Sequence, residues 1–263
     1  MPHIPDLSPW PLVFVGVIAL LGSMFSAVSG FGSAAVLLPV LAFALGEKEA
    51  VPVLTIAQIV GNASKGWFNR AEVRWSAVRW YLLSAVPAAV LGSLVFLAAP
   101  ARLLAGLMGG FLLLAVAWRR WRQPHDAAAP AAVNAPMPDA RLSVVGLFTG
   151  ALSALVGGAG PIAGPFFLAT GLVKGAYIGT EALAALGVHT AKLAAYGGLG
   201  GAGILSPRVL WLGLALSPLM IGGAYLGKRL VDHLSRHAFV IIVEWSLIIA
   251  AGLMLWRALR GGA

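Results

Sequence analysis

Residues 11–46 read PLVFVGVIALLGSMFSAVSGFGSAAVLLPVLAFALG, a run of 36 residues without one charged side chain. As a single helix it would be about 54 Å long at about 1.5 Å per residue, whereas a bilayer hydrocarbon core is about 30 Å thick. It must break or turn, and the tetrad Gly30-Phe31-Gly32-Ser33 is where the backbone is freest to do so. The remaining stretch, 34–46, is about 20 Å as helix, too short for an untilted crossing. The pattern recurs at Gly157-Gly158-Ala159-Gly160-Pro161, where Pro161 suits the first turn of a new helix. Two such discontinuous hairpins entering from opposite faces bring two helix N-termini near the midplane, where free N–H groups and the positive dipole ends favour an anion. Glycine and proline also serve close packing and kinks in membrane helices. The recurrence at matching positions favours a functional break.

The rest of the composition agrees with a membrane protein. Of 263 residues, 60% are hydrophobic and 10% charged, against about 25% charged in soluble domains. Apolar segments run 11–28, 34–46, 51–68, 76–99 and 102–118, then 142–156, 161–173, 178–199, 209–227 and 238–256. Between the two sets lies a Pro/Ala-rich linker, 119–141, expected to be cytoplasmic, which divides the chain into a first membrane repeat (1–118) and a second (142–263). The opening MPHIPDLSPW lacks the basic region of a cleavable signal, so 11–28 is read as the first membrane segment. The absence of cysteine excludes disulfides, thiolate metal sites and cysteine nucleophiles. The net charge of +9 is scattered in short clusters beside apolar runs, which fits membrane flanks and disfavours nucleic acid.

The halves resemble each other at an offset of about 127 residues. Ser26-Ala27-Val28 and Ser153-Ala154-Leu155 precede the two breaks, and Asn62-Ala63-Ser64-Lys65 falls on His189-Thr190-Ala191-Lys192. Trp80, Pro87 and Gly92 have the mutual spacing of Trp211, Pro218 and Gly223. Such order points to an internal repeat. Five segments per half is an odd number, so the second half is expected to be inverted relative to the first. With that count Arg70, Arg74, Arg79, Arg119, Arg120, Arg122, Arg141, Lys174, Lys228, Arg229 and Arg236 share one side, taken as cytoplasmic, and Lys48, Arg102, Arg208, Arg257 and Arg260 the other. An eight-span count stays open.

The third segment of the first half carries Thr55, Gln58, Asn62 and Lys65, and its counterpart Glu181, His189, Lys192 and Tyr196. Each set falls within about 80° of arc at about 100° per residue, giving two polar stripes that should face a cavity rather than lipid. Two intramembrane lysines imply a negative guest between them. The structural alternatives are snorkelling of Lys65 toward Arg70, snorkelling of Lys192, and a Lys192–Glu181 salt bridge. Glu181 and His189 are candidates for carrying a coupling proton, although a polar residue satisfied by a neighbouring helix is an equal reading. Glu244 reads as a packing or interface residue, and His233 and His237 as solvated. With one midsegment histidine, no paired aspartates and no HExxH there is no expected catalytic residue, metal or cofactor, and no Walker loop appears.

GFGSAAVLLPVL at 30–41, GLFTGALSALVGGAGPIAGPFFL at 146–168 and the AxxGxHTAKLxxY run at 184–196 resemble the TauE/SafE sulfite exporter family of bacterial membrane permeases. The resemblance implies a multi-pass transporter of the bacterial inner membrane that exports sulfite or sulfonates such as sulfoacetate. Phe31 and Ser33 depart from the fuller glycine-rich form, and Glu181 is a separate departure from the family pattern. The expectation is an all-α integral membrane protein of two inverted repeats with re-entrant first hairpins. Its anion would sit between the halves, at Gly30, Gly32, Ser33, Thr55, Gln58, Asn62, Lys65, Gly158, Gly160, Pro161, His189, Thr190 and Lys192, with Glu181 as the coupling candidate. The expected partners are the anion and the lipid bilayer, with a homodimer allowed. Import or exchange of another small solute is the alternative, and a non-transporting membrane scaffold is a third reading.

Overall fold

The computed structural model describes residues 9–29, 33–122, 136–200, 203–230, 248, 251–252, 254–256 and 258–259, and these contain no strand. The helices in chain order are α1 (Pro9–Ser29), α2 (Ser33–Leu45), α3 (Glu47–Phe68), α4 (Trp75–Ala98), α5 (Ala101–Arg122), α6 (Leu142–Val156), α7 (Gly160–Ala169), α8 (Lys174–Leu199) and α9 (Pro207–Leu230). Each matches one of the expected apolar segments in order. Most of the tenth segment lies outside the described residues, as do Gly30, Phe31, Gly32, His233, His237 and Glu244. Among the described residues three helical stretches, Trp75–Ala98, Asp139–Val156 and Pro207–Arg229, are long and apolar enough to cross a membrane.

Four boundaries differ from the sequence reading by four residues: α3 begins at Glu47 and α8 at Lys174, each ahead of its apolar segment, and the ends of α5 and α7 are displaced. α7 stops at Ala169 rather than near 173, because Thr170 folds its hydroxyl onto the Phe167 carbonyl (2.7 Å) and Gly171 turns left-handed at φ 83°. α5 runs through Arg122, beyond the expected start of the linker. The linker's far end is fastened: Met137 N donates to Ala169 O at 2.8 Å, and Asp139–Arg141 form a 3₁₀ turn into α6.

Close helix approach rests on glycine. A Cβ at Gly92 of α4 would lie 2.5 Å from the Ala151 carbonyl oxygen of α6, and one at Gly223 of α9 2.5 Å from the Leu20 carbonyl oxygen of α1. Both pairs of backbones are therefore in direct contact, as small residues permit in membranes. Hydroxyls reinforce the same pairs: Ser23 Oγ donates to Met220 O at 2.6 Å, and Ser84 Oγ donates to Ser143 O. α3 lies innermost, with every residue from Ala50 to Gln58 buried, as expected of a helix surrounded by others. Leu83, Leu91, Phe148, Trp211 and Leu214 are exposed large apolar side chains on α4, α6 and α9, suited to lipid contact.

Polar contacts group the helix ends. At one end Lys228 Nζ donates to Phe68 O (2.7 Å), and Arg74 reaches Asp139 (3.4 Å), the Thr170 carbonyl (2.8 Å) and, through its backbone N–H, Thr180 Oγ1 (3.0 Å). At the other, Lys48 Nζ donates to the carbonyls of Phe96 and Leu97 (2.8 and 2.9 Å), Arg208 lies 3.8 Å from Glu49, and Arg102 Nε donates to Ala258 O (2.7 Å). The cations named in these contacts fall into the two groups that the charge count assigned to opposite sides.

Candidate functional site

Between these ends lies a cavity of about 50 Å³. At about 10–15 Å³ per water it holds a few waters or one compact ion. Ser33 and Ala34 at the start of α2 line it, as do Gly158, Ala159, Gly160 and Pro161 at the start of α7. Gln58, Asn62 and Lys65 contribute from α3, and Glu181, Ala184, Ala185, Val188 and His189 from α8. Both short helices thus begin at one cavity. The first-turn amides of a helix have no intrahelical acceptor, and its N-terminus carries about half a positive charge.

From α3, Gln58 Nε2 donates to Ser33 Oγ at 3.0 Å, and the serine hydroxyl points back at Gln58 Oε1 at 3.2 Å. This pair ties the start of α2 to α3. One turn further, Asn62 brings its carboxamide to the cavity, and Lys65 Nζ donates to Ser26 Oγ of α1 at 2.8 Å. Lys65 is only 4% exposed, so it does not snorkel toward Arg70. Thr55 is buried but does not line the cavity; its hydroxyl donates to Val51 O of its own helix at 2.7 Å.

The α6–α7 break has its own construction. Gly157 closes α6 at φ 79°, a left-handed conformation that an L side chain adopts with strain. The last carbonyls of α6 find donors on α8: Lys192 Nζ reaches Ser153 O at 2.9 Å and Gly157 O at 3.3 Å, and Tyr196 Oη donates to Ala154 O at 3.1 Å. A cation at a helix C-terminus is also favoured by the dipole. Lys192 is fully buried, and its ammonium neither snorkels nor forms an ion pair with Glu181 among the described residues. It lies 3.5 Å from His189 Nδ1, at the limit of hydrogen bonding, which leaves Nε2 as the imidazole atom free to donate elsewhere. Thr190 is exposed, bonds Leu186 O at 2.9 Å, and stays away from the cavity.

Of the thirteen expected substrate residues, Ser33, Gln58, Asn62, Lys65, Gly158, Gly160, Pro161 and His189 line one cavity; Thr55, Thr190 and Lys192 do not, and Gly30 and Gly32 are outside the described residues. Glu181 lines it too, 5% exposed, with Oε2 lacking any hydrogen-bond partner among the described residues. The cavity also takes in Ser26, Ser153, Tyr81 and Phe167, which sequence reasoning did not place there. Both serines could be found from the repeat, since each stands just before a break. Tyr81 and Phe167 had no such signal: their rings meet at 5.2 Å, and Tyr81 Oη bonds Thr149 at 2.8 Å. Among the described residues no cluster of three or more His, Cys, Asp or Glu is suited to a metal ion.

The arrangement can hold an anion between two helix starts, an ammonium and several neutral donors, inside a protein whose α4, α6 and α9 present exposed apolar side chains. The family model of the sulfite exporter TauE/SafE matches residues 15–254. The chain belongs to that family, a family of membrane transporters. No match is found among curated proteins or among solved structures.

Proposed function

We propose that this member of the TauE/SafE family exports a compact sulfur oxyanion, sulfite or a small sulfonate, across the bacterial inner membrane. The observation that carries the reading is the meeting of the first turns of α2 and α7 with Lys65 at a single buried cavity. Helix starts and a desolvated ammonium are anion ligands. Asn62, Gln58 and His189 add neutral donors suited to sulfite oxygens. Lys192 supports the site from behind by holding the end of α6 in place.

We read the architecture as two inverted repeats. This reading is supported by equivalent contacts on either side of the cavity. Lys65 reaches Ser26 and Lys192 reaches Ser153, each across 39 residues. α4 packs on α6 through Gly92, and α9 on α1 through Gly223. α2 leads from the cavity to the end that holds Lys48, whereas α7 leads from it to Thr170 at the Arg74 end. Re-entrant hairpins from opposite faces have this form. With the arginine-rich end cytoplasmic, an anion leaving the cell moves downhill by about 2.3 kcal/mol per charge per 100 mV.

The test is efflux of labelled sulfite from proteoliposomes with an imposed potential, negative inside. Outward flux that rises with the potential is expected. Absence of flux for sulfite and sulfoacetate alike overturns the reading.

A further inference from the structure

Among the described residues Glu181 is the one acidic side chain lining the cavity, and anion binding alone gives it no role. It projects from α8, is more than nine-tenths buried, and leaves Oε2 without a hydrogen-bond partner among the described residues. A buried carboxylate oxygen without a partner carries a large desolvation penalty. Tyr177, one turn earlier on α8, leaves its hydroxyl unpartnered as well. The titratable groups facing Glu181 are Lys65 from α3, Tyr81 from α4, and Tyr177 and His189 from α8 itself. The cavity residues contributed by α1, α2, α6, α7 and the break before α7 are serine, glycine and alanine with Pro161 and Phe167, none of which titrates near neutrality.

Counting charges then gives a constraint. Lys192 is engaged by the Ser153 and Gly157 carbonyls, so the ammonium that lines the cavity is that of Lys65. When ionised, the Glu181 carboxylate balances it across the cavity. When an anion arrives, one ammonium faces two negative groups in a space of about 50 Å³, and like charges confined away from water are strongly unfavourable. Glu181 has no donor of its own on Oε2 to stabilise the charged form.

Resting on the anion reading above, we propose that Glu181 takes up one proton from solvent when the anion enters and returns it when the anion leaves, so that anion and proton occupy the protein together. The proton bonds to a carboxylate oxygen, and no other bond is made or broken. Glu181 then becomes a hydrogen-bond donor toward the anion instead of a competitor for Lys65. A dianion would cross with one net negative charge and still be driven outward by the potential, whereas a monoanion would cross as a neutral pair and be indifferent to it.

The experiment is calorimetric titration of sulfite into the purified full-length protein in two buffers of different ionisation enthalpy at one pH. Protonation of sulfite itself is common to all variants, so the difference between variants belongs to the protein. At a pH high enough for the ligand-free carboxyl to be ionised, wild type is expected to take up close to one more proton than Glu181→Gln, with Glu181→Asp restoring the uptake. Wild-type affinity is expected to tighten by up to about tenfold per unit fall in pH beyond the trend of Glu181→Gln. Equal proton uptake in wild type and a folded Glu181→Gln that still binds sulfite overturns this proposal and leaves the anion site standing. An uptake that Glu181→Asp fails to restore, in folded protein that binds sulfite, also counts against it. No sulfite binding by wild type overturns the anion reading itself, and this proposal with it.

Discussion

Lys192 Nζ donates to the Ser153 carbonyl at 2.9 Å, whereas Lys65 Nζ, facing the corresponding serine, donates to the Ser26 hydroxyl at 2.8 Å. The two lysines occupy matching positions and do different work. Lys192 satisfies backbone carbonyls that α6 leaves open where it stops inside the protein, and Lys65 keeps its ammonium on the cavity wall.

Lys192→Met is therefore expected to act on stability. Each buried carbonyl left without a donor costs about 1–3 kcal/mol, and the favourable charge at the α6 C-terminus is lost with it. Relief of the buried ammonium's own desolvation offsets part of this. A net loss near 1 kcal/mol lowers the melting temperature by about 2–4 °C for a chain of this size. Thermal unfolding in detergent, read beside sulfite binding, checks it. A fully stable variant that has lost binding would move Lys192 to the anion.

The glycine contacts make a second prediction. Gly92→Val places carbon within the van der Waals radius of the Ala151 backbone and must separate α4 from α6. Gly110 on α5 has nothing within 4 Å of where its Cβ would stand. Gly92→Val should reduce folded, monodisperse protein severalfold on gel filtration, and Gly110→Val should not. Equal yields would mean that α4 and α6 tolerate separation.

The chain has no cysteine, so single-cysteine variants report accessibility without background. Ala185 lines the cavity, whereas Ala71, in the 3₁₀ turn between α3 and α4, is exposed outside it. Modification of Ala185→Cys by a small charged thiol reagent should slow in the presence of sulfite, and modification of Ala71→Cys should be unaffected by it. Protection at both positions would indicate a global change rather than an occupied cavity.

Much of this organisation was legible in the sequence, because the bilayer imposes strong rules. Uncharged runs, glycine-rich breaks and the 127-residue offset gave the helices, the discontinuities and the third-segment stripes. Gln58, Asn62, Lys65, Glu181 and His189 of the two stripes line one cavity. Arc alone does not say what a side chain bonds, however. Thr55 and Thr190 turn their hydroxyls onto the carbonyls four residues earlier, as threonine does within helices. Lys192 shares the arc of His189, yet a terminating helix lies within its reach. Tyr81 and Phe167 enter from helices whose polar content was too low to mark a face. α7 ended early through the left-handed turn at Gly171, which an apolar run could not reveal.

The central claim is that Lys65, between the starts of α2 and α7, compensates the charge of the transported anion. The most direct measurement is the sulfite dissociation constant of wild type and Lys65→Met, with melting temperature as the control for folding. A charge-assisted hydrogen bond is worth about 1.5–3 kcal/mol, so the account predicts affinity weaker by about 10- to 100-fold in a variant that still folds. Unchanged affinity in a folded Lys65→Met protein would contradict it.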